Sequence, residues 1–319
     1  MSSILRKNLW LLVLVAACSP TSQTALQPVV ARADTSTNAH QFEFLAAQKP
    51  QSLLDLPESQ DGDIILSNGY YEADFKSYCL QPGTPDPSSR DAYMMGPLNG
   101  NRRDIVETIL RNSLNKPQLE QKNIQLLLWS VVSRSNFNRL SFPVQTTAAQ
   151  LLTPKQIFAL RGGVMGVVKS VAEVLPDSGP FQEMNQLFNL GTSSYEVYER
   201  VAILREPSVI RRPDFKRDQW YKQDGGYYVR YFPTSYQQVK IQVYVPEGAV
   251  DSTGKKSGSY LLFDPVKMMA IPANSNAQRL GIGAPIADII RQVIEIQKDV
   301  RKDKKPAPRP KNPKTGETI

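Results

Sequence analysis

Residues 239–245 alternate strictly between apolar and polar or amphipathic side chains, and this pattern constrains the fold most strongly. Because successive side chains of a strand face opposite sides, a period of two predicts a half-buried β-strand. The predicted inward-facing residues are Val239, Ile241, Val243 and Val245. Residues 227–232 are the predicted hairpin partner, and residues 260–263 and 267–271 predict a second hairpin.

Residues 61–206 have mainly the periodicity of helices. Ile124, Leu127, Leu128 and Val131 are spaced as one helical stripe, and Trp129 widens it, so this helix is predicted to be central and buried. The run Thr153-Pro154-Lys155-Gln156 predicts a capped helix start. We therefore expect an α+β fold, with a helical N-terminal part followed by a small antiparallel β unit. A C-terminal amphipathic helix, beginning at Pro285, is predicted to close it.

The N-terminus has the organisation of a secretory signal. Arg6 and Lys7 precede an apolar run of nine residues, which is too short for a spanning helix of about 20 residues. The run ends in Val15-Ala16-Ala17-Cys18, which resembles the lipobox of bacterial lipoproteins. The resemblance implies cleavage before Cys18, acylation of Cys18 with lipid including palmitate, and, because Ser19 is not Asp, the outer membrane. It covers only these residues, and the alternative is an ordinary signal with an incidental cysteine.

The net charge of +8 belongs mostly to the C-terminus, where residues 298–319 carry eight basic and three acidic side chains. The remainder is close to neutral, which argues against a nucleic-acid partner. Four prolines after residue 305 oppose a helix there. Five stretches are predicted: a signal peptide (1–17), a lipidated tether (18–60), a mainly helical domain (61–206), a β-rich domain with its closing helix (207–300) and a basic, proline-rich disordered tail (301–319).

Residue types that carry catalysis are scarce. One histidine, in the predicted tether, and two cysteines leave no set for a Cys/His zinc site, a disulfide framework or histidine-assisted nucleophilic catalysis. Cys79 is expected to be a small buried hydrophobe. Carboxylate pairs remain, with Asp61 and Asp63 in one polar loop and Asp86 and Asp91 in another, but no pattern selects a pair. The sequence thus predicts no catalytic residue, no metal site and no cofactor.

Aromatic residues are concentrated between residues 215 and 244, which hold nine of the Phe, Tyr and Trp side chains. Strand alternation places Tyr228, Arg230 and Phe232 on one face, and Tyr244 on the outward face of the next strand. Amphipathic rings and arginine are typical of interaction surfaces, so these four residues are the candidate partner-binding site. The alternative is that they are part of the sheet core.

These features favour a cell-envelope lipoprotein without catalytic activity. We expect it to be anchored to the membrane through its lipid, to face the periplasm or the cell surface, and to act as a binding or assembly component. Another envelope protein or a cell-wall glycan would be its partner. The alternative is a carboxylate-dependent envelope hydrolase that acts on peptidoglycan or polysaccharide.

Overall fold

The computed structural model describes residues 39–162 and 179–286, in which six antiparallel strands close into a barrel. Their order around the barrel is β1-β6-β5-β2-β3-β4, and β4 pairs again with β1. A closed sheet has no free edges among its strands. The strands are β1 (Gly69–Cys79), β2 (Tyr93–Pro97), β3 (Tyr228–Ser235), β4 (Gln238–Val245), β5 (Met268–Pro272) and β6 (Leu280–Pro285).

Helices are inserted between β2 and β3. They are α1 (Arg103–Leu114), α2 (Gln121–Val132), α3 (Phe142–Leu151), α4 (Pro154–Leu160), α5 (Pro180–Asn189) and α6 (Tyr195–Ala202). Three 3₁₀-helices span Ala39–Ala47, Leu53–Asp55 and Phe137–Arg139. Two-residue strands span Gln51–Ser52, Ile64–Ile65, Thr84–Pro85, Ile203–Leu204, Tyr221–Lys222, Lys255–Lys256, Ser259–Tyr260 and Leu262–Phe263.

Helix α2 is the central helix, as its sequence pattern predicts. Trp129 has no exposed surface, and the stripe residues around it are buried with it. The Gln125 side chain hydrogen-bonds both backbone groups of Cys79, accepting from its N–H at 2.8 Å and donating to its carbonyl at 2.9 Å. Gln125 therefore replaces a neighbouring strand at the end of β1. The predicted capping box of α4 is also confirmed, since Thr153 and Gln156 bond each other's backbone N–H.

The strand predicted from the period-two pattern is β4. Its four inward-facing residues have no exposed surface, and β3 is its hairpin partner as predicted. The turn between the two strands is tighter than expected, because β3 extends to Ser235 and β4 begins at Gln238.

The predicted fold class is wrong. Strands β1 and β2 precede the six α-helices of the described residues, and they close one barrel with strands from the predicted β-rich domain. Each edge of β1 needs a hydrogen-bonded neighbour, and these neighbours, β4 and β6, come from the C-terminal half of the chain. A helical N-terminal part followed by a separate β unit is therefore not what forms, and the barrel draws strands from both sides of residue 206.

Two further expectations differ from the structure, and others fall outside the residues that it describes. Leu262–Phe263 pairs with Ile64–Ile65 and not with β5, so the second predicted hairpin is wrong. Residues 39–60 belong to the predicted tether, but Phe42, Leu45 and Leu53 are buried against the body. Beyond strand β6, the predicted closing helix and the 301–319 tail lie outside the described residues, as do the signal peptide and Cys18.

Candidate functional site

Three tyrosines form a row across the outer face of the barrel. Tyr228 on β3 is opposite Tyr244 on β4, and Tyr244 is opposite Tyr70 on β1. The rings of Tyr228 and Tyr244 stack with centroids 6.3 Å apart. The row arises because all three residues have the outward parity of their strands. Tyr70, Tyr228 and Tyr244 are called the tyrosine row below.

A polar row lies next to the tyrosine row on the same three strands. The Arg230 Nε donates to the side-chain oxygen of Gln242 at 2.7 Å, and the Gln242 amide donates to Glu72 at 2.8 Å. The Nζ of Lys240 also lies 3.5 Å from a carboxylate oxygen of Glu72. These contacts fix the guanidinium of Arg230 in one place.

The guanidinium of Arg230 lies between two aromatic rings. Its central carbon is 4.2 Å from the centre of the Trp220 ring and 5.1 Å from that of Phe232. The central guanidinium carbon of Arg217 lies 5.8 Å from the centre of the same Phe232 ring, so aromatic and cationic groups alternate along this surface. At these distances the ring quadrupole attracts the cation. Arg230 also donates to the backbone carbonyl of Asp218 at 2.9 Å, which holds the Trp220 loop on the barrel.

Residues 39–47, called the strap below, cover the tyrosine row. The centroid of the Phe42 ring is 4.8 Å from that of Tyr228, 5.7 Å from that of Tyr244 and 5.8 Å from that of Trp220. Leu45 is buried in the same cluster. The Phe44 and Tyr244 rings have centroids 5.7 Å apart, but the Phe44 side chain remains 48% exposed.

The four site residues predicted from the sequence therefore lie on one outer face. Tyr228 is only 9% exposed under the strap, whereas Arg230, Phe232 and Tyr244 keep part of their surface accessible. Sequence reasoning missed Tyr70, Trp220 and the strap. The apolar pair Phe42 and Leu45, spaced by three in a polar stretch, was the available signal for the strap.

A separate cleft of about 290 Å³ opens where β1 changes its hydrogen-bonding partner. Gln51–Ser52 pairs with β1 at Tyr71 and Glu72, while Pro285 of β6 is opposite Phe75. The cleft has apolar walls that include Leu54, Ile64, Phe75 and Val266, and charged groups that include Arg111 and Asp264.

Two carboxyl groups beside this cleft have pKa values shifted in opposite directions. Burial, with the nearby charge of Asp264, raises the pKa of Asp63. Burial alone would also raise the pKa of Asp264, but hydrogen bonds and charge from Arg111 and Lys267 outweigh it and lower that pKa. Divergent carboxyl pKa values are typical of acid–base pairs.

The contacts of Asp264, however, are those of an ion-pair centre. One oxygen accepts from Arg111 and from Lys267, the latter at 3.2 Å, and the other accepts from the backbone N–H of Val266 at 3.0 Å. Asp63 is buried, and its carboxylate is 3.9 Å from Lys267. Both oxygens of Asp264 are therefore engaged within the protein.

Cys79, Asp86 and Asp91, the other residues that the sequence analysis considered, have structural contacts, and the prediction that Cys79 is buried is confirmed. Cys79 is a free, fully buried thiol, and burial raises its pKa to about 12, which keeps it protonated. Asp91 accepts hydrogen bonds from Ser88 and Ser208 and so connects the segments that carry these two serines. Asp86 accepts from the backbone N–H of Tyr236 at 2.8 Å. None of the three is among the residues that line the cleft beside Asp63 and Asp264.

Within residues 39–162 and 179–286, no group of three or more His, Cys, Asp or Glu side chains is placed to hold a metal ion. No helix in this described part has the length and apolar content to cross a membrane. The chain matches no protein-family model, no curated protein and no solved structure.

Proposed function

We propose that the chain is a lipid-anchored protein of the cell envelope that binds a partner through the outer face formed by the tyrosine row, Arg230 and Phe232. It acts as a binding or assembly component without catalysis, on the periplasmic or surface side of the outer membrane. One observation carries the proposal: the tyrosine row already holds an apolar peptide segment, because Phe42 and Leu45 of the strap are buried against it.

The arrangement of the rings favours a protein partner over a cell-wall glycan. A glycan binds best to a flat, open aromatic platform, whereas Phe42 meets Tyr228 and Tyr244 edge-on at interplanar angles of 61° and 74°. Edge-to-face contacts suit the aromatic side chains of a protein. Tyrosine, tryptophan and arginine are also the residues most enriched at binding hot spots.

Attachment to the membrane rests on the lipobox-like sequence Val15-Ala16-Ala17-Cys18. Two or three acyl chains hold a protein on a bilayer, whereas a single chain binds reversibly. A partner on the same membrane would meet the outer face at a high effective concentration.

Site-specific photo-cross-linking in intact cells tests the proposed function. A photoreactive residue at position 244 should give a discrete cross-linked adduct, while the same residue at Phe142, which is 82% exposed elsewhere on the chain, should give none. No adduct from position 244, or the same adduct from both positions, would contradict the proposal.

The carboxylate-dependent hydrolase is the second candidate, and the opposite pKa shifts of Asp63 and Asp264 favour it. We place it second because both oxygens of Asp264 are engaged by the protein itself. Release of soluble fragments from purified peptidoglycan tests it. Fragment release that is lost in Asp264→Asn and kept in Asp104→Asn would favour the hydrolase over the binding protein.

A further inference from the structure

The strap and its seat on the barrel form a small apolar cluster of their own. Phe42, Leu45, Tyr70, Trp220 and Tyr228 are buried together, apart from the main core of the barrel and helices. Between residues 41 and 47 of the strap, Phe42 and Leu45 are the buried side chains, and the neighbouring Gln41, Glu43 and Phe44 are exposed. Few buried side chains are typical of segments that open locally.

The conformation of the strap also points to a weakly held segment. It is a 3₁₀-helix of nine residues, whereas 3₁₀-helices longer than about four residues are uncommon because their hydrogen bonds have poorer geometry. Three residues per turn put Phe42 and Leu45 on the same side, so the contacts with the tyrosine row maintain this helix.

The strap does not fill the surface beneath it. A cavity of about 170 Å³ lies between Phe42 and Ala46 of the strap and Trp220 and Arg230 of the barrel. A segment with bulkier side chains than the strap could therefore gain contacts there that the strap lacks, which is the condition for one segment to displace another.

Resting on the proposed function, we propose that the strap is an internal occupant of the binding surface. The partner is a protein segment of the same chemistry, with an aromatic side chain followed three positions later by an aliphatic one. This partner segment replaces Phe42 and Leu45 on the tyrosine row. Release of the nine strap residues would lengthen the connection to Cys18 by up to about 30 Å, so partner binding and reach from the membrane are coupled.

The test adds a labelled synthetic peptide of residues 39–48 to the full chain. We expect the peptide to bind the double variant Phe42→Ala/Leu45→Ala at least tenfold more tightly than the wild type, because the wild-type strap competes at high effective concentration. The variant Gln41→Ala, which changes an exposed strap residue, should bind the peptide as weakly as the wild type. A peptide with alanine at both anchor positions should bind none of the proteins.

Hydrogen exchange on the wild type covers the case in which the double variant does not fold. Strap amides should exchange at least tenfold faster than those of β1 and β4. Equal protection of strap and strands, or equal peptide affinity of a folded double variant and the wild type, would overturn the inference.

If the peptide binds as expected but position 244 gives no cross-link in cells, the strap inference stands and the proposed function fails. If the cross-link forms equally with and without the strap anchors, the function stands and the inference fails.

Discussion

The guanidinium of Arg230 lies 4.2 Å from the centre of the Trp220 ring, and the same group bonds Gln242 on the neighbouring strand. Arg230 thus joins the outer face of the barrel to the loop that carries Trp220. The planar guanidinium can stack on a ring and donate in its own plane at the same time, which the ammonium of lysine cannot do.

Arg230→Lys should therefore destabilise the protein although the charge is kept. We expect a loss of about 2 kcal/mol, from the weakened contact with Trp220 and the lost hydrogen bond to Gln242. Urea unfolding followed by circular dichroism measures it. Arg103→Lys, at an exposed helix position, is the matched control and should leave the midpoint unchanged. Equal midpoints for both variants would mean that the stacked geometry contributes nothing.

The two faces of β4 should respond very differently to substitution. Val243 has no exposed surface and lies between Val229 and Tyr71 in the sheet. Val243→Asp buries a carboxylate without a partner and should cost more than about 4 kcal/mol. Tyr244→Ala removes a partly exposed ring from the outer face and should cost about 1 kcal/mol. Urea melts compare them, and similar losses would show that both faces are equally buried.

Strand β1 was predictable from the sequence and was nevertheless missed. Buried Tyr71, Ala73 and Phe75 alternate with Glu72 and Asp74, which is the same period-two pattern that revealed β4. The interpretation of residues 61–206 as mainly helical obscured this pattern, because the helices that follow β2 are so clearly periodic.

Strands β2 and β6 could not be read in the same way. The residues of β2 from Tyr93 to Gly96 are all buried, and so are the first five of β6, so neither strand has a polar face to reveal its period. A short apolar run of this kind does not distinguish a strand from a buried helix segment.

The candidate site was partly accessible to sequence reasoning. Alternation within β3 and β4 is a local property, so Tyr228, Arg230, Phe232 and Tyr244 could be grouped in advance. Tyr70 and Phe42 reach the same surface only through the pairing of β1 with β4 and the packing of the strap. Such contacts depend on the closed sheet, which no local pattern specifies.

Cys18→Ser should release the protein from the membrane. The thiol of Cys18 is the acylation site that the lipobox resemblance implies. Without acyl chains, the apolar run of residues 9–17 cannot replace the anchor, because it is either cleaved off with the signal or is too short to span a bilayer. Metabolic labelling with palmitate and fractionation of cells measure the result, with Cys79→Ser as the matched control. A variant that keeps its lipid label and its membrane fraction would contradict the anchor.

Cys79 should be unreactive towards thiol reagents in the folded protein. It is completely buried, and its pKa of about 12 leaves very little thiolate at neutral pH. In the Cys18→Ser background, labelling should be complete only after denaturant is added. Tyr260→Cys places a thiol at a 48% exposed position and serves as the reactive control. Rapid labelling of Cys79 without denaturant would mean that α2 opens readily from the end of β1.

Asp63 and Asp264 should give stability opposite dependences on pH. Because the pKa of Asp63 is raised, the folded protein keeps this proton at pH values above 3.8, where the unfolded chain has largely lost it. The free energy of unfolding therefore falls as pH rises from 3.8 through the folded pKa of Asp63. The lowered pKa of Asp264 means that the folded state loses its proton first. Its contribution is present above 3.8 and is lost as pH falls through the folded pKa.

Asp63→Asn should therefore remove the fall in stability that begins as pH rises above the ordinary value of 3.8, because the amide carries no charge to bury. Asp264→Asn should cost about 3 kcal/mol at neutral pH, since it leaves Arg111 and Lys267 without their shared carboxylate. Urea melts at several pH values distinguish the two variants, with Asp104→Asn as the exposed control. A loss of stability in Asp63→Asn as large as that in Asp264→Asn would mean that Asp63 contributes as much as Asp264 to the ion pair with Lys267.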